Sequence, residues 1–235
     1  MVLKKFFLTG GSGTLGAEML KCQQEVTTQF TSPTSMECDV RDYESLYAQI
    51  DGSNCCVVIH CAALTDVKEI ELDATMACDV NVLGTLNVIK VCQELNKKLV
   101  FISTDYVFDG EKGDYKTTDP INPVSKYAKT KAAAELLVRS FDNHLVIRTS
   151  FFGHEFPYDK AVADQFSTKD YVDVVAPIVM MAINNDKFGV IHIGTTKSST
   201  YEKALQRNPN VEKIYLKDLD FKIPKDISLF MGEQL

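Results

Sequence analysis

The segment Thr9-Gly10-Gly11-Ser12-Gly13-Thr14-Leu15-Gly16 constrains this chain more than any other part of it. It stands between an apolar run at residues 5–9 and an amphipathic run at 14–24. The first has the composition of a buried strand and the second the spacing of a helix. Two glycine registers overlap in the turn, Gly11-x-Gly13-x-x-Gly16 and Gly10-x-x-Gly13-x-x-Gly16. Glycines permit a tight turn and a close approach of backbone to a neighbour, while the following helix presents N–H donors and a positive dipole end. A strand, such a turn and a helix in that order predict a βαβ unit whose turn cradles a pyrophosphate.

The rest of the chain extends that pattern. Strand-like runs at 26–30, 36–40, 55–62, 99–104, 145–149 and 189–193 alternate with helical runs at 73–95, 126–141, 171–184 and 201–206, with Pro177 inside the third. Continuous apolar runs such as 55–62 belong to strands covered on both faces. The expected class is α/β: a Rossmann-type doubly wound parallel sheet with right-handed crossovers. We place a boundary near Ser150, giving a Rossmann domain at 1–150 and a small lobe at 151–235 interleaved with the sheet edge.

Composition removes other classes. A net charge of −7 argues against a nucleic-acid binder, which needs a basic face. No apolar run approaches the ~20 residues of a membrane span, and the N-terminus lacks the pattern of a signal peptide. The seven cysteines are odd in number, form no CxxC pair and lie partly in apolar strands. They read as reduced thiols of a cytoplasmic protein, with no metal site.

Candidate chemistry comes from three further places. The second strand ends in Phe30-Thr31-Ser32-Pro33, without the acid that takes a ribose 2′-OH or an arginine for a 2′-phosphate. Both NADH and NADPH stay open, and the missing carboxylate leans towards NADPH. Asp39 and Val40, after the third strand, are candidates for the adenine edge. Asn122-Pro123 resembles a helix start, and the helix then carries Tyr127 and Lys131, four apart on one face. A phenol is a poor acid near neutrality; an ammonium at ~4 Å favours its phenolate by about 4 kcal/mol at an effective dielectric near 20. The strand at 99–104 ends in Ser103-Thr104-Asp105-Tyr106, where open α/β sheets bind ligands. Either Ser103 or Thr104 can hold a substrate carbonyl beside Tyr127, and strand alternation allows only one.

Taken together these motifs resemble the extended short-chain dehydrogenase/reductase family, in its branch of dTDP-4-dehydrorhamnose reductases and related nucleotide-sugar 4-keto reductases. The carrying segments are TGGSGTLG at 9–16, VVIHCAALT at 57–65, NVLGT at 81–85, STDYVFDG at 103–110, residues 122–135 and Arg148-Thr149-Ser150. The resemblance implies that Gly10, Ser12, Gly13, Thr14, Leu15 and Gly16 line a pyrophosphate and that Asp39 and Val40 flank an adenine. It implies that Ala62, Ala63 and Thr65 border the cofactor, that Thr104 orients a keto group, that Tyr127 donates the proton and that Lys131 assists. Asp105 and Tyr106 are then near the substrate, a nucleotide sugar, and the C-terminal lobe binds it. An NAD-retaining epimerase or dehydratase, a cofactor-binding regulatory subunit similar to the non-catalytic subunit of methionine adenosyltransferase, and a homodimer also remain compatible. Two departures stand out: Phe151 occupies the place of a usual Trp, and residues 153–170 form a much shorter segment than in relatives. His60 reads as a structural strand residue and His154 as an exposed loop residue.

Overall fold

The computed structural model describes residues 3–22, 28–219 and 223–232. Its centre is a parallel sheet of six strands: β1 (Lys4–Thr9), β2 (Thr28–Thr31), β3 (Val57–His60), β4 (Lys98–Ser103), β5 (His144–Arg148) and β10 (Gly189–His192). They lie in the order β2-β1-β3-β4-β5-β10. Side-chain alternation supplies the two cores. Phe6 and Leu8 face one side, with α1 (Thr14–Lys21) and α7 (Val172–Asn184) contributing Leu15, Met19, Val175 and Val179. Phe7 faces the other, with α2 (Tyr43–Gly52), α5 (Gly84–Glu94) and α6 (Lys126–Arg139) contributing Leu46, Ile50, Val88, Cys92, Ala134 and Val138. All six residues of β4 are buried, as a central strand covered on both faces requires. Full burial of a Phe or Leu side chain is worth about 1.5–3 kcal/mol, so these two layers dominate stability.

Several expected elements differ. Residues 36–40 form no strand: the Glu37 carboxylate accepts from both the backbone N–H and the hydroxyl of Thr34, folding the segment into a turn, and Cys38 N–H closes it on Thr34 O at 2.9 Å. The helix expected at 73–95 starts at Thr75, because Asp73 is extended (φ −142°, ψ 115°), and runs unbroken to Glu94 through α4 (Thr75–Ala77), a π-helical turn (Cys78–Leu83) and α5; the short α3 (Val67–Leu72) before it was not anticipated. The helix α2 was not anticipated, and the ends of two expected elements, residues 23–24 and 26–27, lie outside the described residues. The helix α6 starts later than Asn122-Pro123 suggested. Asn122 Nδ2 donates instead to Asp109, and Ser125 caps α6 by accepting from Ala128 N at 3.1 Å. Pro177 is accommodated inside α7.

After Ser150 the chain adds β6 (Phe151–Phe152), β7 (Lys160–Val162), β8 (Phe166–Ser167) and β9 (Asp170–Tyr171), then α7 and β10. It continues through β11 (Ser198–Ser199), α8 (Thr200–Leu205) and β12 (Glu212–Ile214). Strands β6 and β9, β7 and β12, and β8 and β11 pair outside the main sheet. Residues 223–232 then run along the segment that follows β4: Asp226 N donates to Gly110 O at 2.9 Å and Phe230 N to Tyr115 O at 2.8 Å.

Candidate active site

The glycine turn is closed by Gly13 N donating to Gly10 O at 3.0 Å. Gly10 has φ +73°, and a Cβ there would lie 2.6 Å from Ala62 N, so only glycine lets the turn rest on the end of β3. Gly16 is equally constrained, since its Cβ would meet Gly10 O at 2.4 Å. Gly13 differs: it is exposed, and its Cβ would come no closer than 3.3 Å to Gly10 O. Gly13 caps α1 without any side-chain hydrogen bond, leaving the first-turn N–H groups of this eight-residue helix for an anion. Ser12, Gly13 and Thr14 face solvent at this opening, whereas Leu15 is 4 % exposed and turns its side chain into the core, so only its backbone is available there.

Around the opening, Ala62 and Ala63 are half-buried and Thr65 exposed on the loop after β3. Asn81, on the π-helical turn, pins this loop: its Oδ1 accepts from Leu64 N at 2.8 Å while its Nδ2 donates to Leu64 O and to Thr130 on α6. Val40 is buried against Gly84. Asp39 is engaged by Arg41 through its backbone N–H and guanidinium, which hold its carboxyl below the usual range. Ser32 Oγ donates to Leu8 O at 3.2 Å and sits against Gly11.

The alternation at the end of β4 is settled by hydrogen bonding. Ser103 Oγ points away and donates to the buried Glu135 at 2.6 Å. Thr104 Oγ1 lies beside Tyr127 and is bonded to its phenol, accepts from Tyr106 N at 3.2 Å and donates to Asp105 Oδ1 at 3.2 Å. Asp105 is 1 % exposed; Ser150 Oγ also donates to its Oδ1, and its Oδ2 has no hydrogen-bond partner. Tyr106 sets its ring edge-on to Tyr127, centroids 6.4 Å apart, and its own hydroxyl bonds Gln165.

Tyr127 and Lys131 share a face of α6, yet the ammonium does not bear on the phenol as the spacing alone suggested. Lys131 Nζ donates to Ile102 O at 2.8 Å and lies 4.3 Å from the Phe101 ring centroid. Burial brings its pKa down to about 8, against the pull of Cys61 and Glu135. The Tyr127 phenol is raised well above its ordinary value, chiefly by burial and then by the Asp105 charge. At neutral pH it is therefore a protonated donor rather than a phenolate.

Glu135, one turn beyond Lys131, pairs with Arg148 of β5 at 2.6 Å, both side chains fully buried. His60 bridges Thr9 and Thr85 at 2.7 and 3.0 Å, and burial pushes its pKa down to about 3; it ties β1 and β3 to α5. His154 lies 3.0 Å from Glu18 on α1. All seven cysteines are free thiols. Sequence reasoning missed Arg41, Gln165 and Lys169 as neighbours of the site, because each comes from a loop with no periodic signal; Asn81 and Ser150 had appeared only as parts of motifs.

The profile of the family described as RmlD substrate binding domain matches residues 4–175. The chain belongs to this family. Its RmlD relatives include a dTDP-4-dehydrorhamnose reductase of Aggregatibacter actinomycetemcomitans, 32% identical over 185 residues, which are 74% of this chain and 61% of that protein. Another, from Mycobacterium tuberculosis strain H37Rv, is 32% identical over 154 residues, 63% of this chain and 50% of that one. The chain thus spans between half and about three fifths of these curated relatives. Among solved structures, a dTDP-4-dehydrorhamnose reductase from Clostridium acetobutylicum superimposes with a TM-score of 0.87 at 26% identity, covering 96% of this chain and 89% of that one. One from Bacillus anthracis, determined in complex with NADP, gives 0.87 at 23% identity over 97% and 90% of the two chains. Both share the Rossmann-type sheet.

Proposed function

We propose that the chain is an NAD(P)H-dependent reductase of a nucleotide-linked 4-keto-6-deoxysugar, acting as the dTDP-4-dehydrorhamnose reductases it resembles. The observation that carries the reading is the meeting of Thr104, Tyr127 and Lys131 at the carboxyl end of β4, across from an uncapped helix N-terminus behind a glycine turn. When bound, a dihydronicotinamide supplies the hydride.

The chain's own residues do the rest. Backbone N–H groups of the first turn of α1 hold the pyrophosphate, with Ser12 and Thr14 at its rim. Thr104 positions the carbonyl oxygen, and Tyr127 delivers its proton there, an alkoxide being far more basic than a phenolate. Lys131, buried and with its pKa near 8, reaches the ribose hydroxyls. Asp105 and Tyr106 face the sugar, and the strand pairs after Ser150 that lie outside the main sheet form the lobe that receives the nucleotide. NADPH is favoured as cofactor: Glu37 is engaged by Thr34 and Asp39 by Arg41, so neither carboxylate is free to select a ribose 2′-OH. A cytoplasmic setting with reduced thiols fits this chemistry. No observation favours the epimerase, dehydratase or regulatory-subunit alternatives. The test is oxidation of NADPH and of NADH against a panel of nucleotide-linked 4-keto-6-deoxysugars. Multiple turnovers with one of them are expected; cofactor binding without any turnover across the panel refutes the reading.

A further inference from the structure

The motif at 103–110 ends on Gly110, beyond the residues that face the sugar, and the proposed chemistry gives that glycine no task. Its backbone is left-handed (φ +80°), and a Cβ there would lie 2.5 Å from Pro224 Cβ and 2.9 Å from Lys225 N. Gly113 repeats the arrangement: its φ is +68°, and a Cβ would run into the Asp226 carboxylate. The loop after β4 is thus shaped to let residues 224–230 pass at very close approach.

That passing segment is extended, and its successive N–H groups turn to opposite sides. On the side of the loop, Asp226 N donates to Gly110 O at 2.9 Å and Phe230 N to Tyr115 O at 2.8 Å. On the side of the lobe, Ile227 N donates to Phe166 O at 3.0 Å and Leu229 N to Thr168 Oγ1 at 3.4 Å. Both neighbours donate in return: Tyr115 N to Ser228 O at 2.9 Å and Phe166 N to Lys225 O at 2.8 Å. Phe166 belongs to β8, so the segment joins a lobe strand to the loop that carries Asp105 and Tyr106. Leu229 is buried in one cluster with Val107, Phe108 and Ala132, the neighbour of Lys131 on α6. Ser228 is fully buried; its Oγ accepts from Asp114 N at 2.8 Å and donates to Asp226 Oδ1 at 2.6 Å. Lys197 Nζ closes the outside, 2.7 Å from Asp226 and 3.2 Å from Asp114.

We propose that residues 224–230 are a strap that positions the substrate side of the site, with Ser228 and Lys197 as its fastenings. By holding the loop against β8, the strap fixes where Asp105 and Tyr106 stand relative to the lobe. The glycine turn follows β1, two places from β4 in the sheet, so cofactor binding does not depend on the strap. This inference deepens the reductase reading and rests on it for its substrate, so one readout uses no substrate.

Amide hydrogen exchange is followed by mass spectrometry in the full chain of wild type, Ser228→Ala and Lys197→Met. Peptides covering 104–115 and 165–168 are expected to exchange ~10-fold or more faster in Ser228→Ala, and those covering 9–16 at the wild-type rate. Lys197→Met, a change at the surface, is expected to act in the same direction, and it carries the test should Ser228→Ala fail to fold. Unmoved exchange in the variants that fold overturns the proposal, and so does an equal rise at 9–16, which leaves the segment a role in global stability alone. In the second readout, NADPH oxidation with dTDP-4-dehydrorhamnose, KM for the sugar nucleotide is expected to rise ~10-fold or more while NADPH affinity stays within a few-fold. Faster local exchange with an unmoved KM overturns the positioning role. Should the wild-type chain never turn over, the reductase reading falls by itself and the exchange pattern alone decides the strap.

Discussion

The glycines of the turn carry different loads, and their substitution separates folding from binding. At Gly13 the backbone (φ −75°, ψ 165°) suits any L-residue, and a Cβ meets nothing nearer than Gly10 O at 3.3 Å. Gly13→Val is therefore expected to fold, with a stability change of about 1 kcal/mol or less for an altered helix cap. The same side chain projects into the opening above α1, where an anion must come within hydrogen-bond distance of the first-turn N–H groups. Pushing the pyrophosphate out breaks at least two charge-assisted hydrogen bonds. At about 1.5–3 kcal/mol each, affinity for NADPH falls by roughly 10²–10⁴-fold. Gly16→Ala is expected to do the opposite. Its Cβ would lie 2.4 Å from Gly10 O and 2.8 Å from Gly11 Cα, so α1 must back away from β1, at an overpacking cost of about 1–3 kcal/mol. Urea unfolding measures the stability of each variant, and fluorescence titration with NADPH measures the affinity. A Gly13→Val chain that binds NADPH within a few-fold of wild type refutes the assignment of this turn to a pyrophosphate. A Gly16→Ala chain as stable as wild type refutes the packing argument.

Tyr127→Phe keeps the ring against Tyr106 and removes the proton, so NADPH affinity is expected within a few-fold of wild type and turnover of a keto sugar lower by at least ~10²-fold; near-normal rates exclude Tyr127 as the acid. Buried His60 has a folded pKa of about 3 against 6.5 when unperturbed, so the unfolded chain takes up the proton first as the pH falls. Its contribution is intact above pH ~6.5 and declines below that towards pH ~3, with about 2 kcal/mol lost by pH 5, read as a lower urea midpoint that His60→Gln no longer shows. Because no free acid ends β2, kcat/KM for NADPH and NADH is expected to differ by less than ~100-fold, about 2.7 kcal/mol. Ser32→Asp, placed against Gly11, is expected to shift preference towards NADH, and less so in high salt; an unchanged ratio moves the ribose site elsewhere.

What could be read from the sequence was what repeats or follows a spacing rule. The strands β1, β3, β4 and β5 declared themselves as apolar runs, and the glycine turn and the Tyr127–Lys131 interval were visible in single segments. Irregular backbone was not. The helix over 73–95 was legible, but the π-helical turn inside it that aims Asn81 leaves the apolar period nearly unchanged and so gave no signal. The turn at 34–37 is made by a side chain reaching its own backbone, which outweighed the strand composition of 36–40. The direction of Lys131 was equally hidden: spacing placed it under Tyr127, while the carbonyl of Ile102 and the face of Phe101 decided where its ammonium rests.

One buried pair makes these scattered residues act as a unit. Lys131 and Tyr127 come from α6, Thr104 from the end of β4 and Ser150 from the segment after β5. Glu135 sits on α6 one turn from Lys131 and touches both strands at once, taking Ser103 Oγ of β4 and the Arg148 guanidinium of β5. Such a pair is a weak source of net stability, because desolvating both charges consumes most of their attraction. Its stringency lies elsewhere. Losing one partner strands a buried charge at a cost of about 3–5 kcal/mol, so α6 cannot slide or rotate against the two strands without that cost. Burial lowers the pKa of Lys131, and after Cys61 the same carboxylate opposes that shift, so the contact that fixes the register of the helix also bears on the charge of its lysine. Fold and chemistry therefore meet in Glu135, which fixes the place of α6 against β4 and β5 and bears on the charge of Lys131 one turn away.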